Sequence, residues 1–226
     1  NIRGAKQEIE KQISTLEGMF LADAERGLGP LRDAVVRDFV DELRRTLLTP
    51  DWVIGAEKVA DTMRVTLIDY NEDLCNWLRD ETDLRDIIQA VVHAIYYTYV
   101  ECILTFGISI TPAIISRLES DIDLLRTSFR EVSYLISDEE ILRKSRPLMN
   151  ILRGLKLDNR SLADFAVKEL TLDFGCHGIK VWLCLMAIRE ISKDTIDVNE
   201  VVKSNIVAFF NVNIDMINAF HDELFN

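Results

Sequence analysis

The stretch Thr49-Pro-Asp-Trp-Val-Ile-Gly-Ala-Glu-Lys-Val-Ala-Asp-Thr-Met-Arg-Val-Thr-Leu-Ile-Asp-Tyr-Asn-Glu-Asp73 decides the fold class. A cap-forming threonine precedes a proline at a first-turn position, where the missing N–H costs nothing. Trp52, Ala56, Val59, Met63, Leu67, Tyr70, Leu74 and Trp77 then recur every three or four residues. That spacing predicts one continuous helix of about 38 Å, at roughly 1.5 Å per residue. The aromatic and apolar residues read as its packing seam, with Asp69 and Asp73 on or beside the polar border.

The same period extends in both directions. A first helix is expected through Ile9, Ile13, Leu16 and Phe20, broken by Gly27, Gly29 and Pro30, and a second from about Leu31 to Leu48. Leu84 to Phe106 is apolar around most of its circumference, the pattern of a central bundle helix. Thr111-Pro112 repeats the cap-and-proline device, and Ser137 with Glu140 forms a capping-box signal. Later helices are expected near 139–154, 160–174, 178–192, 196–211 and 213–225. No strand pattern of useful length interrupts them. The expectation is an all-α fold: a rod-like array of stacked antiparallel helical bundles with coiled-coil-like packing. Residues 1–136 form one bundle and 137–226 a second, continuous with it.

Composition narrows the function classes. The chain has 226 residues, 48% hydrophobic and 28% charged, with 9 glycines and 4 prolines. This is the profile of a globular helical protein. A net charge of −12 disfavours nucleic acid as a partner, because phosphate contact needs a broadly basic surface. No apolar run is expected to span a bilayer, which takes about 20 residues. The sequence opens Asn1-Ile2-Arg3-Gly4 without Met or a signal pattern, suggesting a piece of a longer protein. Cys75, Cys102, Cys176 and Cys184 are widely and irregularly spaced, as for buried reduced thiols. The Asn159-Arg160-Ser161 sequon carries no weight in a cytosolic setting.

There is no Gly-rich phosphate loop, GxSxG or HExxH, so no catalytic, cofactor-binding or metal-ligating residue is assigned. His93, in the most apolar helix, is expected to be a hydrogen-bonded core residue. Cys176-His177 between Gly175 and Gly178 is the weak candidate for a thiol or metal site. The clearest functional feature is electrostatic. Arg143, Lys144, Arg146, Arg153, Lys156 and Arg160 face only Asp158, so six cations less one acid give about +5. From Glu190 onward, seven acids meet only Lys193 and Lys203. Arg143, Lys144, Arg146, Arg153 and Lys156 are therefore the candidate partner-binding residues, for an acidic protein segment or an anionic membrane surface. A surface neutralised by acids elsewhere in the fold is the competing reading.

Thr49, Trp52, Gly55, Val59, Thr62, Val65, Thr66, Asp69-Tyr70 and Asp73 resemble a segment of the exocyst subunit Sec-six family (exocyst complex component three), in which a Trp leads into a long helix ending Asp-Tyr-Phe-x-Asp. Leu28-Gly-Pro-Leu-Arg-Asp33 fits the same region. Ile122-Asp-Leu-Leu-Arg-Thr-Ser-Phe-Arg130 is similar to a later family helix, and Ala187-Ile-Arg-Glu-Ile-Ser-Lys-Asp194 to a late basic segment, one residue shorter here. The similarity is collinear over about residues 28–200. It departs at Asn71, where the family usually has Phe, and at Gly175-Cys-His-Gly178, where Pro-Asp is common.

The resemblance implies the C-terminal portion of a non-enzymatic, cofactor-free tethering subunit, acting in exocytosis at plasma-membrane sites of secretion from the cytoplasm. Its implied partners are sister exocyst subunits, SNARE proteins and Sec/Munc-type regulators. A peripheral membrane-binding helical module and a diverged tethering-complex paralogue are the alternatives.

Overall fold

The computed structural model describes residues 27–56, 58–78, 80–105, 110–132 and 135–193, together with Thr15. Among them every regular element is helical and no strand occurs. Helix α1 covers 27–46, followed by α2 (Pro50–Ile54), α3 (Val59–Trp77), α4 (Glu81–Thr105), α5 (Pro112–Val132) and α6 (Asp138–Lys156). Then come α7 (Asn159–Phe165), a π-helical turn (Ala166–Leu170), α8 (Thr171–Phe174), a 3₁₀ turn (Gly175–His177) and α9 (Gly178–Lys193).

The long helix expected from Trp52 to Trp77 is two helices. Thr49 caps α2, its hydroxyl accepting from the Trp52 N–H at 3.2 Å. Gly55 then adopts a left-handed conformation, φ +88°, and its N–H bonds back into the turn. Only glycine enters that region freely, so the helix stops there although the apolar period continues. Trp52 and the α3 residues Val59, Met63, Leu67 and Leu74 are all buried, as the period requires. Trp77, expected in the seam, is 62% exposed at the end of α3.

Gly27, Gly29 and Pro30, expected as a break, already belong to α1. The helices expected around residues 9–20 (Thr15 apart), 196–211 and 213–225 lie outside the described residues, as does the acidic segment from Asp194 on. Residues 160–174, expected as one helix, pass through the π turn. There the Thr171 hydroxyl bonds the Ala166 carbonyl five residues back at 3.1 Å.

Helix α4 is the hub. It is long and apolar enough to cross a membrane by length and composition, against the expectation of no such run, yet 72% of its apolar window is buried within the fold. Helix α6 packs on α4, α3 packs on α5, and α9 reaches both α4 and α6. Helix α1 joins through the Phe39–Tyr70 ring contact at 5.8 Å and the Arg44–Glu101 ion pair at 2.9 Å. The turn between α5 and α6 holds the expected boundary at 136/137. One hydrophobic core nevertheless runs from Val35 to Ile188 across it.

Ser137 caps α6 with its hydroxyl accepting from the Glu140 N–H at 3.2 Å, while the Glu140 carboxylate reaches back to the Ser137 N–H. This is the capping box legible in the sequence.

Candidate functional site

Two features of α6 bear on function: its outward basic stripe and a cleft along its opposite side. At about 3.6 residues per turn, Arg146 and Arg153 share one stripe with Leu142, Arg143 and Lys156 flank it, and Lys144 points to the other side. The five expected partner-binding residues therefore do not form one patch.

Three of the five have intramolecular partners. Arg146 pairs with Glu169 at 3.4 Å and with Asp173 at 3.0 Å, fixing α6 to the π turn and α8. Asp173, whose side chain is only 5% exposed, also accepts from Asn150 at 2.6 Å. Arg153 lies over the Phe165 ring at 5.1 Å, and Lys156 pairs with Glu119 of α5 at 2.5 Å. All three remain exposed, so the Arg146–Glu169 and Lys156–Glu119 pairs contribute modestly to stability. Arg143 is exposed, makes no ion pair among the described residues, and sits beside Leu142, an apolar side chain 48% exposed.

On the other side a cleft of about 390 Å³ opens between α1, α4 and α6. Arg32, Asp86, Gln89, His93 and Lys144 supply its polar lining, and Val36, Ala90 and Ala94 its apolar wall. Gln89 and His93 share one face of α4, four residues apart, and the His93 ring stacks on Tyr97 at 6.2 Å between centroids. Contrary to expectation, His93 is half-buried at this opening and makes no hydrogen bond among the described residues. Burial, then the neighbouring Lys144 and Arg143, push its pKa down to about 4, so the ring is neutral.

Lys144 is itself held below the ordinary lysine value, first by burial and then by Arg143. Glu140, one turn earlier on α6, cannot serve it fully. Its carboxylate already accepts from Gln89 at 2.8 Å, Arg85 at 3.2 Å and the Ser137 N–H at 3.4 Å. Sequence reasoning named Lys144 but missed the cleft, whose walls come from three distant segments.

The opening stretch holds a polar cluster of a different kind. The Trp52 indole N–H donates to Asp121 at 3.1 Å, the Tyr99 hydroxyl donates to the same oxygen at 3.4 Å, and Arg117 lies over the Trp52 ring at 4.5 Å. Its parts join α2, α4 and α5 in the interior, which makes it a fastening of the core.

Cys75 is exposed, against expectation, while Cys102 and Cys184 are buried and form no disulfide among the described residues. The Cys176 side chain, half of the Cys-His pair, lies outside the described residues. Among the described residues no three His, Cys, Asp or Glu side chains gather as a metal site would require. No family model matches this chain, and no curated protein or solved structure matches it either.

Proposed function

We propose that the chain is a helical interaction module, working as a non-enzymatic subunit of an exocyst-type vesicle tether through contacts with sister subunits and SNARE machinery. The ordered resemblance over residues 28–200 supports the family. The observation that carries the interaction reading is the outward stripe of α6. There an exposed Leu142 stands beside Arg143, which has no ion pair among the described residues, with Arg146 and Arg153 along the same side. An apolar contact rimmed by cations suits an amphipathic acidic helix, whose burial supplies affinity while charge sets register.

In this reading the protein acts in the cytoplasm, peripherally at sites of secretion, and takes no cofactor. The residues resembling the family divide by role. Thr49, Trp52, Gly55 and Val59 build the α2–α3 corner, whereas Thr62, Val65 and Asp69 lie on the outer side of α3. The test is a pull-down of sister exocyst subunits and SNAREs with L142E and R143E, two exposed positions whose change leaves the core intact. Loss of capture in both variants supports the proposal; unchanged capture at low salt overturns the α6 assignment.

A further inference from the structure

We infer that the cleft between α1, α4 and α6 is a binding site for a small phosphomonoester, with Lys144 and Arg32 as its cationic lining and His93 as a hydrogen-bonding partner. The inference does not rest on the tether reading: Lys144 lies on the side of α6 away from Leu142, with Arg143 between the two.

Three observations carry it. The first is shape: about 390 Å³ lies within the roughly 300–1,000 Å³ of small-molecule sites, with an apolar wall and a few convergent polar groups. The second is unspent hydrogen-bonding capacity. Among the described residues Lys144 has no ion pair or hydrogen bond, His93 has no hydrogen bond, and Arg32 is tied only to its chain neighbour Asp33 at 3.2 Å. A half-buried ammonium whose neighbouring carboxylate, Glu140, is already engaged by other donors is costly, and an anion in the cleft relieves that cost.

The third is the sign of the local field. Within a chain of net charge −12, the charges that perturb His93 are the cations Lys144 and Arg143, although Asp86 and Glu140 are also near. Glu140 is engaged by Gln89, Arg85 and the Ser137 N–H. Asp86 stays at the opening as an acceptor, which suits a ligand carrying hydroxyl groups beside its phosphate. Two cations lining one cleft, Arg32 from α1 and Lys144 from α6, match a dianionic phosphoryl group better than a single carboxylate.

The phosphomonoester has two possible sources, a free metabolite or a lipid headgroup, and the probes separate them. Glycerol phosphate and inorganic phosphate are titrated into the full chain by calorimetry, with the His93 ring protons followed by NMR. Phosphatidic acid vesicles are compared with phosphatidylcholine vesicles by co-sedimentation. Saturable binding of glycerol phosphate is expected, with the His93 titration midpoint moving upward from about 4 as the anion favours the imidazolium.

K144Q and R32Q should each weaken binding about tenfold or more, the usual effect of losing a charge-assisted hydrogen bond. K144R should retain it, and R153Q, on the other side of α6, should bind as wild type. Selective sedimentation with phosphatidic acid that K144Q abolishes would add a lipid source; its absence assigns the site to free ligands. No saturable heat and no His93 shift with either phosphate probe, or affinity unchanged in both K144Q and R32Q, would overturn the inference.

Discussion

The Trp52 indole N–H donates to the Asp121 carboxylate at 3.1 Å, joining α2 to α5 through a side chain with no solvent exposure. The tryptophan that stands out in the sequence is therefore both a core filler and a hydrogen-bond donor. W52F keeps most of the volume and removes the donor, and should cost about 1–3 kcal/mol. W52A also leaves a cavity and should cost about 3–5 kcal/mol. Chemical denaturation of the two variants separates the hydrogen bond from the packing.

Asp121 gives this corner a pH signature. Burial raises its pKa above the carboxylate value, against the lowering effects of Trp52 and Arg117. A raised folded-state pKa means that the contribution is fully present below the unfolded value of 3.8 and is lost as pH rises through the folded one. D121N keeps an acceptor for the indole without the charge. Its stability relative to wild type should improve as pH rises across that window, measured by denaturation at successive pH values.

His93 has the opposite linkage. Its folded pKa of about 4 lies below the ordinary 6.5, so its contribution is present above 6.5 and lost as pH falls toward 4. H93Q should flatten the stability loss over that interval. K144Q removes one of the cations that lower the value, so its His93 midpoint should move upward by NMR.

Much of this fold was legible in the sequence. The caps at Thr49 and Ser137, the hub helix α4 and the inner faces of α3 and α5 follow from period and capping chemistry alone. The break at Gly55 was not, because apolar periodicity is blind to a left-handed backbone when the stripe resumes in phase. The π turn escaped because a switch to hydrogen bonds five residues apart has no marker residue in the sequence. Partners were harder still: nothing local links Arg146 to Asp173, or Arg32 and His93 to Lys144. The basic run looked like one patch, but helix geometry turns Lys144 to one side and Arg146, Arg153 and Lys156 to the other.

Glycines mark where backbones leave no space. A Cβ at Gly178 would sit 2.8 Å from the Thr171 Cα and N, backbone atoms that cannot swing aside. At Gly154 the nearest atoms, Leu185 Cδ1 at 2.8 Å and Leu162 Cδ1 at 3.3 Å, are ends of flexible side chains. G178A should therefore cost about 1–3 kcal/mol, and G154A less, by thermal or chemical unfolding. G55A joins them through φ +88° and a contact of 3.3 Å to Arg117.

Thiol chemistry offers a quick check of burial. Cys75 is exposed, whereas burial pushes the Cys102 thiol up to about 12. A disulfide reagent should modify Cys75 in the native chain and reach Cys102 only on unfolding. C75A should remove one rapidly reacting equivalent.

The central claim, a helical interaction module of an exocyst-type tether, is tested most directly by affinity purification of the full-length protein from its own cells and identification of the chains that come with it. Sister exocyst subunits recovered together, and reduced in parallel by L142E and R143E, are the predicted result. Recovery without any exocyst subunit would contradict it.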